Sequence, residues 1–352
     1  MDLDPIRPPY LTGDLPGIGG RIKAEPEHFV VRELPLYEPT GTGEHVYLTL
    51  TRKNANTADL TRDLARLLDL RPGAIGTAGR KDRQALVTQT FSLHLPGDTR
   101  PADTIAARVQ DELPVTVESA ARHGNKLRMG HLAGNAFEIL VTDMEPDVDP
   151  VTRARPVIDE LRRRGLPNYF GPQRFGKDGT NPERGREVLL GRSRPRDRSL
   201  ADLFISAYQS ALFNRWLAAR ILAGNFERML AGDVAQRSDS GAPFDVTDPD
   251  GETERLLRGE ITYTGPLFGK KMRPATGEAG AREAELLEAQ GIQPADFKKA
   301  TGARRPGRLH LPEITLEPTP NGLWFRFQLP RGAYATALLR EILKNDAPEV
   351  RD

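Results

Sequence analysis

The tail of the chain sets the strongest constraint on its fold. Leu323, Phe325, Phe327 and Leu329 recur at alternate positions, and Leu338, Leu339, Ile342 and Leu343 follow at helical spacing, so the tail reads as a strand and a helix. Gly307 to Asp352 is only 46 residues, and the chain has 0 Cys to staple them. So short a segment cannot comfortably bury a core of its own. Its strand must complete a sheet built elsewhere, and the 352 residues then resolve into one split domain around an insertion.

The N-terminal third supplies that sheet. Phe29 to Leu34 and His45 to Thr51 are rich in β-branched and aromatic residues near Pro or Gly breaks, and read as strands. Leu60, Leu64, Leu67 and Leu68 keep helical spacing, with Asn56 or Thr57 as cap and Pro72-Gly73 as stop. Val87, Phe91, Leu93 and Leu95 fall on one side of an alternating segment, and a similar pattern runs from Leu127 to Val141 around a break at Gly134 and Asn135. Residues 155–310 have longer glycine-rich loops and a helix whose apolar face is Ile205, Tyr208, Leu212, Phe213, Trp216 and Leu217. The expected fold class is α+β, with residues 1–157 and 307–352 forming the split domain and 158–306 the insertion.

Composition narrows the function by exclusion. A net charge of +1 announces no overall basic field, although partners meet local patches rather than totals. The absence of cysteine removes disulfides, thiolate zinc sites, iron–sulfur clusters and cysteine nucleophiles. Met1 to Gly13 is not patterned as a leader, and no stretch approaches the length of a membrane span, so a soluble, cytoplasmic protein is expected.

Generic motifs mostly fail. Gly265 to Lys271 imitates a phosphate loop with the wrong spacing and lacks the Ser or Thr that would hold magnesium. Asp2-Leu3-Asp4 imitates a phosphatase aspartate pair but has no preceding buried strand. The six histidines never take the i, i+4 spacing of a helical zinc pair.

Three clusters remain. Asp82 is a lone carboxylate among Arg80, Lys81 and Arg83, close to Gly79. Such cations favour its ionised form, which suits a nucleophile or an anionic base; they equally suit a surface turn whose charges cancel in solvent. Gly165 to Lys177 interleaves Tyr169, Phe170 and Phe175 with Arg174, Lys177, Asn168 and Gln173. Rings stack on unpaired bases while cations meet phosphate, and the competing reading is aromatic packing at a domain junction. Arg192, Arg194, Arg196 and Arg198 would face one way on an extended segment, and Arg162 to Arg164, Lys298, Lys299, Arg304, Arg305 and Arg308 add further positive charge.

Taken in order, these segments resemble the TruD family of tRNA pseudouridine synthases. The resemblance is carried by Lys23 to Glu33, Gly43 to Leu48, Arg52 to Thr57, the signature Ala78-Gly79-Arg80-Lys81-Asp82-Arg83, Gly134 to Phe137, Asn168 to Gly176, Ser206 to Asn214 and Leu329 to Thr336. It implies a pseudouridine-synthase catalytic domain with a mixed, mainly antiparallel sheet, interrupted by an inserted TRUD-type α+β domain. It also implies isomerisation of uridine at position 13 in the D-arm of tRNA, without redox or metal cofactor and with no obligatory protein partner. By resemblance Asp82 is the essential carboxylate, Lys23 the cation that pairs with or orients it, and Phe29 the ring that stacks on the target base. Asn135 and Phe137 match family positions near the uracil, and Lys81, Arg83, Tyr169, Arg174, Arg194 and Arg196 are candidate RNA contacts. Arg80 and Gln84 depart from the family pattern, which expects an apolar residue and His or Tyr. An RNA-binding or tRNA-folding protein on the same scaffold is the alternative, although Asp82 with Lys23, Phe29 and Asn135 exceeds what binding alone requires.

Overall fold

The computed structural model describes residues 3–346; Asp2 of the Asp2-Leu3-Asp4 pair and residues 347–352 of the tail lie outside them. The chain divides into two compact units. One comprises Ile18–Ala154 with Pro312–Gly332, and the other comprises the N-terminal segment through Gly17, Arg155–Leu311 and Ala333–Asp346.

The first unit is organised on a sheet of nine strands among the described residues. They are β1 (Gly19–Arg21), β2 (Phe29–Pro35), β3 (His45–Lys53), β4 (Ile75–Thr77), β5 (Leu86–His94), β6 (Thr116–His123), β7 (Leu132–Met144), β8 (Thr315–Thr319) and β9 (Gly322–Pro330). The main order is β8-β9-β7-β2-β5-β3-β6, with β1 added to β7 and β4 to β5. Only the β2–β5 pairing is parallel among the described ladders. The tail strand β9 lies antiparallel against β7, Phe327 opposite Phe137 and Leu329 opposite Asn135, as its lack of a separate core required.

Helix α1 (Thr57–Leu67) starts where the sequence signals it, the Asn56 side chain accepting from the Asp59 N–H at 2.8 Å. Its Leu60 and Leu64, with Ile105 and Val109 of α2 (Ala102–Glu112), pack on Val46, Leu48, Leu50, Phe91 and Leu93. Each such fully buried side chain contributes roughly 1.5–3 kcal/mol.

The expected break at Gly134 and Asn135 is absent. β7 runs straight through both, and Gly134 serves close approach instead: a Cβ there would stand 2.3 Å from the Leu329 carbonyl oxygen of β9.

The second unit holds most of α3 (Pro150–Arg164), then α4 (Asn181–Leu189), α5 (Arg198–Leu222), α6 (Pro249–Leu257), α7 (Gly277–Ala289) and α8 (Ala335–Leu343). A four-stranded sheet is formed by Val234–Arg237, Pro243–Asp245, Ile261–Leu267 and Ala303–Pro306. The compact units differ from the boundaries expected at both termini. Buried Glu341 of α8 accepts from the Leu11 and Thr12 N–H groups at 2.7 and 3.2 Å, so the first residues and the last helix are bound to each other within this unit.

The glycines of the phosphate-loop imitation serve packing. A Cβ on Gly265 would meet the Trp216 ring at 2.4 Å, and one on Gly269 the Gly302 backbone at 2.3 Å.

Candidate active site

The loop carrying Asp82 joins β4 to β5 and enters the sheet at Leu86, which pairs with Val30 of β2 and Lys53 of β3. In it the Asp82 side chain is 42% exposed, and its Oδ2 lies 3.0 Å from Nζ of Lys23, a side chain only 3% exposed. Lys23 takes a left-handed backbone conformation, φ 62°, which costs a residue with a Cβ roughly 1–2 kcal/mol. Strain of this kind persists where surrounding structure over-determines it, and such places are often functional. The same ammonium lies 4.5 Å from the centroid of the Phe29 ring.

Aromatic side chains extend the site across the sheet. Phe29, 3% exposed, meets Phe137 edge-on at 6.3 Å, and Phe137 stacks on Phe327 at 5.3 Å. Asn135 shares a face of β7 with Phe137, and β2 sets Val31 opposite Phe137 and Glu33 opposite Asn135. The Asn135 Oδ1 is buried with no hydrogen-bond partner among the described residues. Buried acceptors are seldom left so, and this one is available to an N–H of a bound molecule.

A buried polar network underlies the loop. Lys81 Nζ is 2.7 Å from Glu33 Oε1, with side chains 7% and 5% exposed. The Lys81 N–H donates to Thr57 Oγ1 at 3.1 Å, and Gln89 Nε2 donates to the Gly79 carbonyl at 2.8 Å and to Glu33 Oε1 at 3.1 Å. The Thr90 N–H holds the other Glu33 oxygen at 3.0 Å. Arg52 Nη2 donates to Thr57 Oγ1 and Gln89 Oε1 at 3.1 and 2.9 Å; burial pushes this guanidinium down to about 10, against the opposing pull of Glu33.

The tertiary structure thus brings Lys23, Phe29 and Asp82 together and sets Asn135 and Phe137 side by side on β7. The candidate RNA contacts divide. Arg83, Arg194 and Arg196 are exposed. Lys81 is not, because its side chain is committed to Glu33. Tyr169 is 5% exposed, and burial pushes its hydroxyl well above the usual tyrosine range, so it is a core residue. Arg174 is half-buried and donates to Ser210 Oγ at 3.1 Å.

The wider basic surface also contracts. Arg304 pairs with Glu283 at 2.7 Å, both side chains 8% exposed; Arg305 and Arg308 are buried, and Arg164 pairs with Glu227. Arg192 to Arg196 form no strand, and Arg198 already belongs to α5, so the alternate arginines do not share the face of an extended segment. Gln89 and Arg52 were not expected as site components. A signal was present for one of them, since Gln89 occupies an inward position between Val87 and Phe91 on an otherwise apolar strand face.

The chain that folds into this sheet, with Asp82 on its β4–β5 loop and Lys23 between β1 and β2, is matched by the family model for tRNA pseudouridine synthase D (TruD), over residues 7–194 and 194–342. The chain belongs to the TruD family. It is 45% identical over 349 residues to the tRNA pseudouridine synthase D of Anaeromyxobacter dehalogenans strain 2CP-C, covering 96% of this chain and 97% of that protein. It is 44% identical over 352 residues to a tRNA pseudouridine synthase D of Thermus thermophilus, covering 99% of this chain and 96% of that protein. The crystal structure of a Methanosarcina mazei protein described as a putative TruD superposes with a TM-score of 0.74 at 25% identity, covering 98% of this chain and 99% of that one.

Proposed function

We propose that this protein isomerises uridine in tRNA to pseudouridine, at position 13 of the D-arm, with Asp82 as its essential carboxylate. The observation that carries the reading is the Lys23–Asp82 pair: a buried ammonium 3.0 Å from a carboxylate that stays 42% open to a substrate. Membership of the TruD family supports the substrate class, and the position is the one that the resemblance of the motifs implies. The split sheet unit, completed by β8 and β9, is the catalytic domain, and the segment between β7 and β8 carries the family's insertion. Cytoplasm, where tRNA is matured, is the expected compartment.

The chemistry follows from an anionic oxygen beside the sugar of an extruded nucleotide. Asp82 attacks the anomeric carbon, forming an ester as the N1–C1′ bond breaks, or removes the neighbouring sugar proton to give a glycal as the same bond breaks. Either way the uracil departs with the electron pair of that bond. It then turns and reattaches through C5, expelling the Asp82 carboxylate from C1′ in the first route or with the proton held by Asp82 returned to C2′ in the second, and afterwards loses the proton at C5 and gains one at N1. Lys23 orients the carboxylate, Phe29 and Phe137 hold the base by its face, and Asn135 Oδ1 accepts from its polar edge. Arg83, Arg194 and Arg196 meet backbone phosphates.

Tritium release from tRNA labelled at uracil C5 tests the assignment. Asp82→Asn is expected to abolish release while tRNA is still bound; wild-type turnover in that variant overturns the role of Asp82.

A further inference from the structure

Consecutive residues of the catalytic loop have opposite fates: Lys81 turns inward, 7% exposed, and Asp82 stays 42% exposed. The inward residue and the two before it are tied at three points, each to a different element. β5 holds the Gly79 carbonyl through Gln89, α1 holds the Lys81 N–H through the Thr57 hydroxyl, and β2 holds the Lys81 ammonium through Glu33. The ties are cross-braced: the Thr57 hydroxyl donates to Gln89 Oε1 at 3.0 Å, and Gln89 Nε2 donates to Glu33. All of this lies within the sheet unit, at inward positions where the neighbouring strand residues Val31, Leu50, Val87 and Phe91 are apolar and buried.

Stability does not call for such an arrangement. A buried ion pair costs as much in desolvation as it returns, and well-packed apolar residues of like volume commonly serve as well or better. What a cross-braced network supplies is fixed geometry. On a solvent-facing loop such bracing adds to the Lys23 pair in holding the carboxylate to the fraction of an ångström that attack on a carbon centre requires.

We infer that Gln89, Thr57 and the Glu33–Lys81 pair are positioning residues, which act through the Gly79–Lys81 backbone to hold Asp82 against Lys23 for the isomerisation. The inference rests on Asp82 being the catalytic carboxylate. It gives Lys81 a mechanical task in place of an RNA contact. It also separates the loop's anchored points, Gly79 and Lys81, from Arg80 and Arg83, which are exposed and left to the substrate.

The test is steady-state tritium release with the full-length protein and C5-labelled tRNA, comparing Gln89→Met and Thr57→Val with wild type. Methionine fills the volume of Gln89 without its donors, and valine matches threonine without its hydroxyl. Gln89→Met is expected to lower kcat about 10- to 100-fold, and Thr57→Val about 10-fold, with KM for tRNA within about twofold of wild type. If Gln89→Met fails to fold, Thr57→Val carries the test alone. A wild-type kcat in the folded variants overturns the inference, as does a raised KM with kcat unchanged, which would make these residues part of RNA binding. Asp82→Asn in the same assay separates the two claims. Its inactivity beside fully active Gln89→Met and Thr57→Val rejects only the positioning role, whereas its activity rejects the catalytic assignment itself.

Discussion

Lys23 Nζ and Asp82 Oδ2 meet at 3.0 Å although 59 positions separate them in the chain. The lysine is held by more than the carboxylate, since the Phe29 ring lies 4.5 Å from its charge. Lys23→Met keeps an apolar chain on that ring and removes the charge that orients Asp82. The expected result is a kcat about 100-fold lower with tRNA affinity nearly unchanged, measured by tritium release and filter binding. Equal kcat in the variant would remove Lys23 from the mechanism.

Arg194 and Arg196 are exposed, in contrast to the buried arginines 305 and 308. If they meet phosphate, Arg194→Ala combined with Arg196→Ala weakens tRNA binding and lowers the slope of log affinity against log salt by about one to two units. An unchanged slope would return them to ordinary surface.

Arg305 marks the aromatic loop as a structural clamp. Its guanidinium lies 4.0 Å from the Phe170 centroid and donates to Asn168 Oδ1 at 2.6 Å and to the Asn168 carbonyl at 3.0 Å, while burial pushes it down to about 10. Arg305→Met leaves those buried acceptors unmatched and is expected to cost about 2–3 kcal/mol in urea unfolding. Arg305→Lys recovers little, because an ammonium cannot reproduce the planar fork.

His45, 8% exposed and stacked on His94 at 4.6 Å, is pushed below the usual histidine range, first by burial and then by the charges of His94, Lys126 and His123 against the pull of Glu44. The folded state therefore binds fewer protons than the unfolded one between the two pKa values. This contribution to stability is fully present above the ordinary histidine value and is lost as pH falls through the folded one. Urea midpoints should drop on acidification through that window, and His45→Gln should make the fall shallower.

Periodicity carried most of the fold. The alternation in β5 and β9, the β-branched and aromatic runs of β2 and β3, the helical spacing of α1, α5 and α8 and the need of β9 for a borrowed sheet are all local patterns of apolar residues, and burial acts on those patterns directly. Ordered motifs single out Asp82, Lys23, Phe29, Asn135 and Phe137 as candidates, and the fold gathers Lys23, Phe29 and Asp82. The short ladders β1 and β4 were not, since three residues carry too little periodicity. Gly134 misled, because a glycine needed for close approach of a neighbouring strand has the same sequence signature as one needed for a turn.

What the sequence could not decide was the environment of each charge. Lys81, Arg83, Tyr169, Arg174, Arg194 and Arg305 look equally suited to RNA in a linear chain. Only the folded structure commits Lys81 to Glu33, Arg305 to Asn168 and Tyr169 to the core, while leaving Arg83 and Arg194 outside. The reason is physical: apolar spacing is a property of neighbours in the chain, whereas the solvation and pairing of a cation depend on residues brought to it from distant strands.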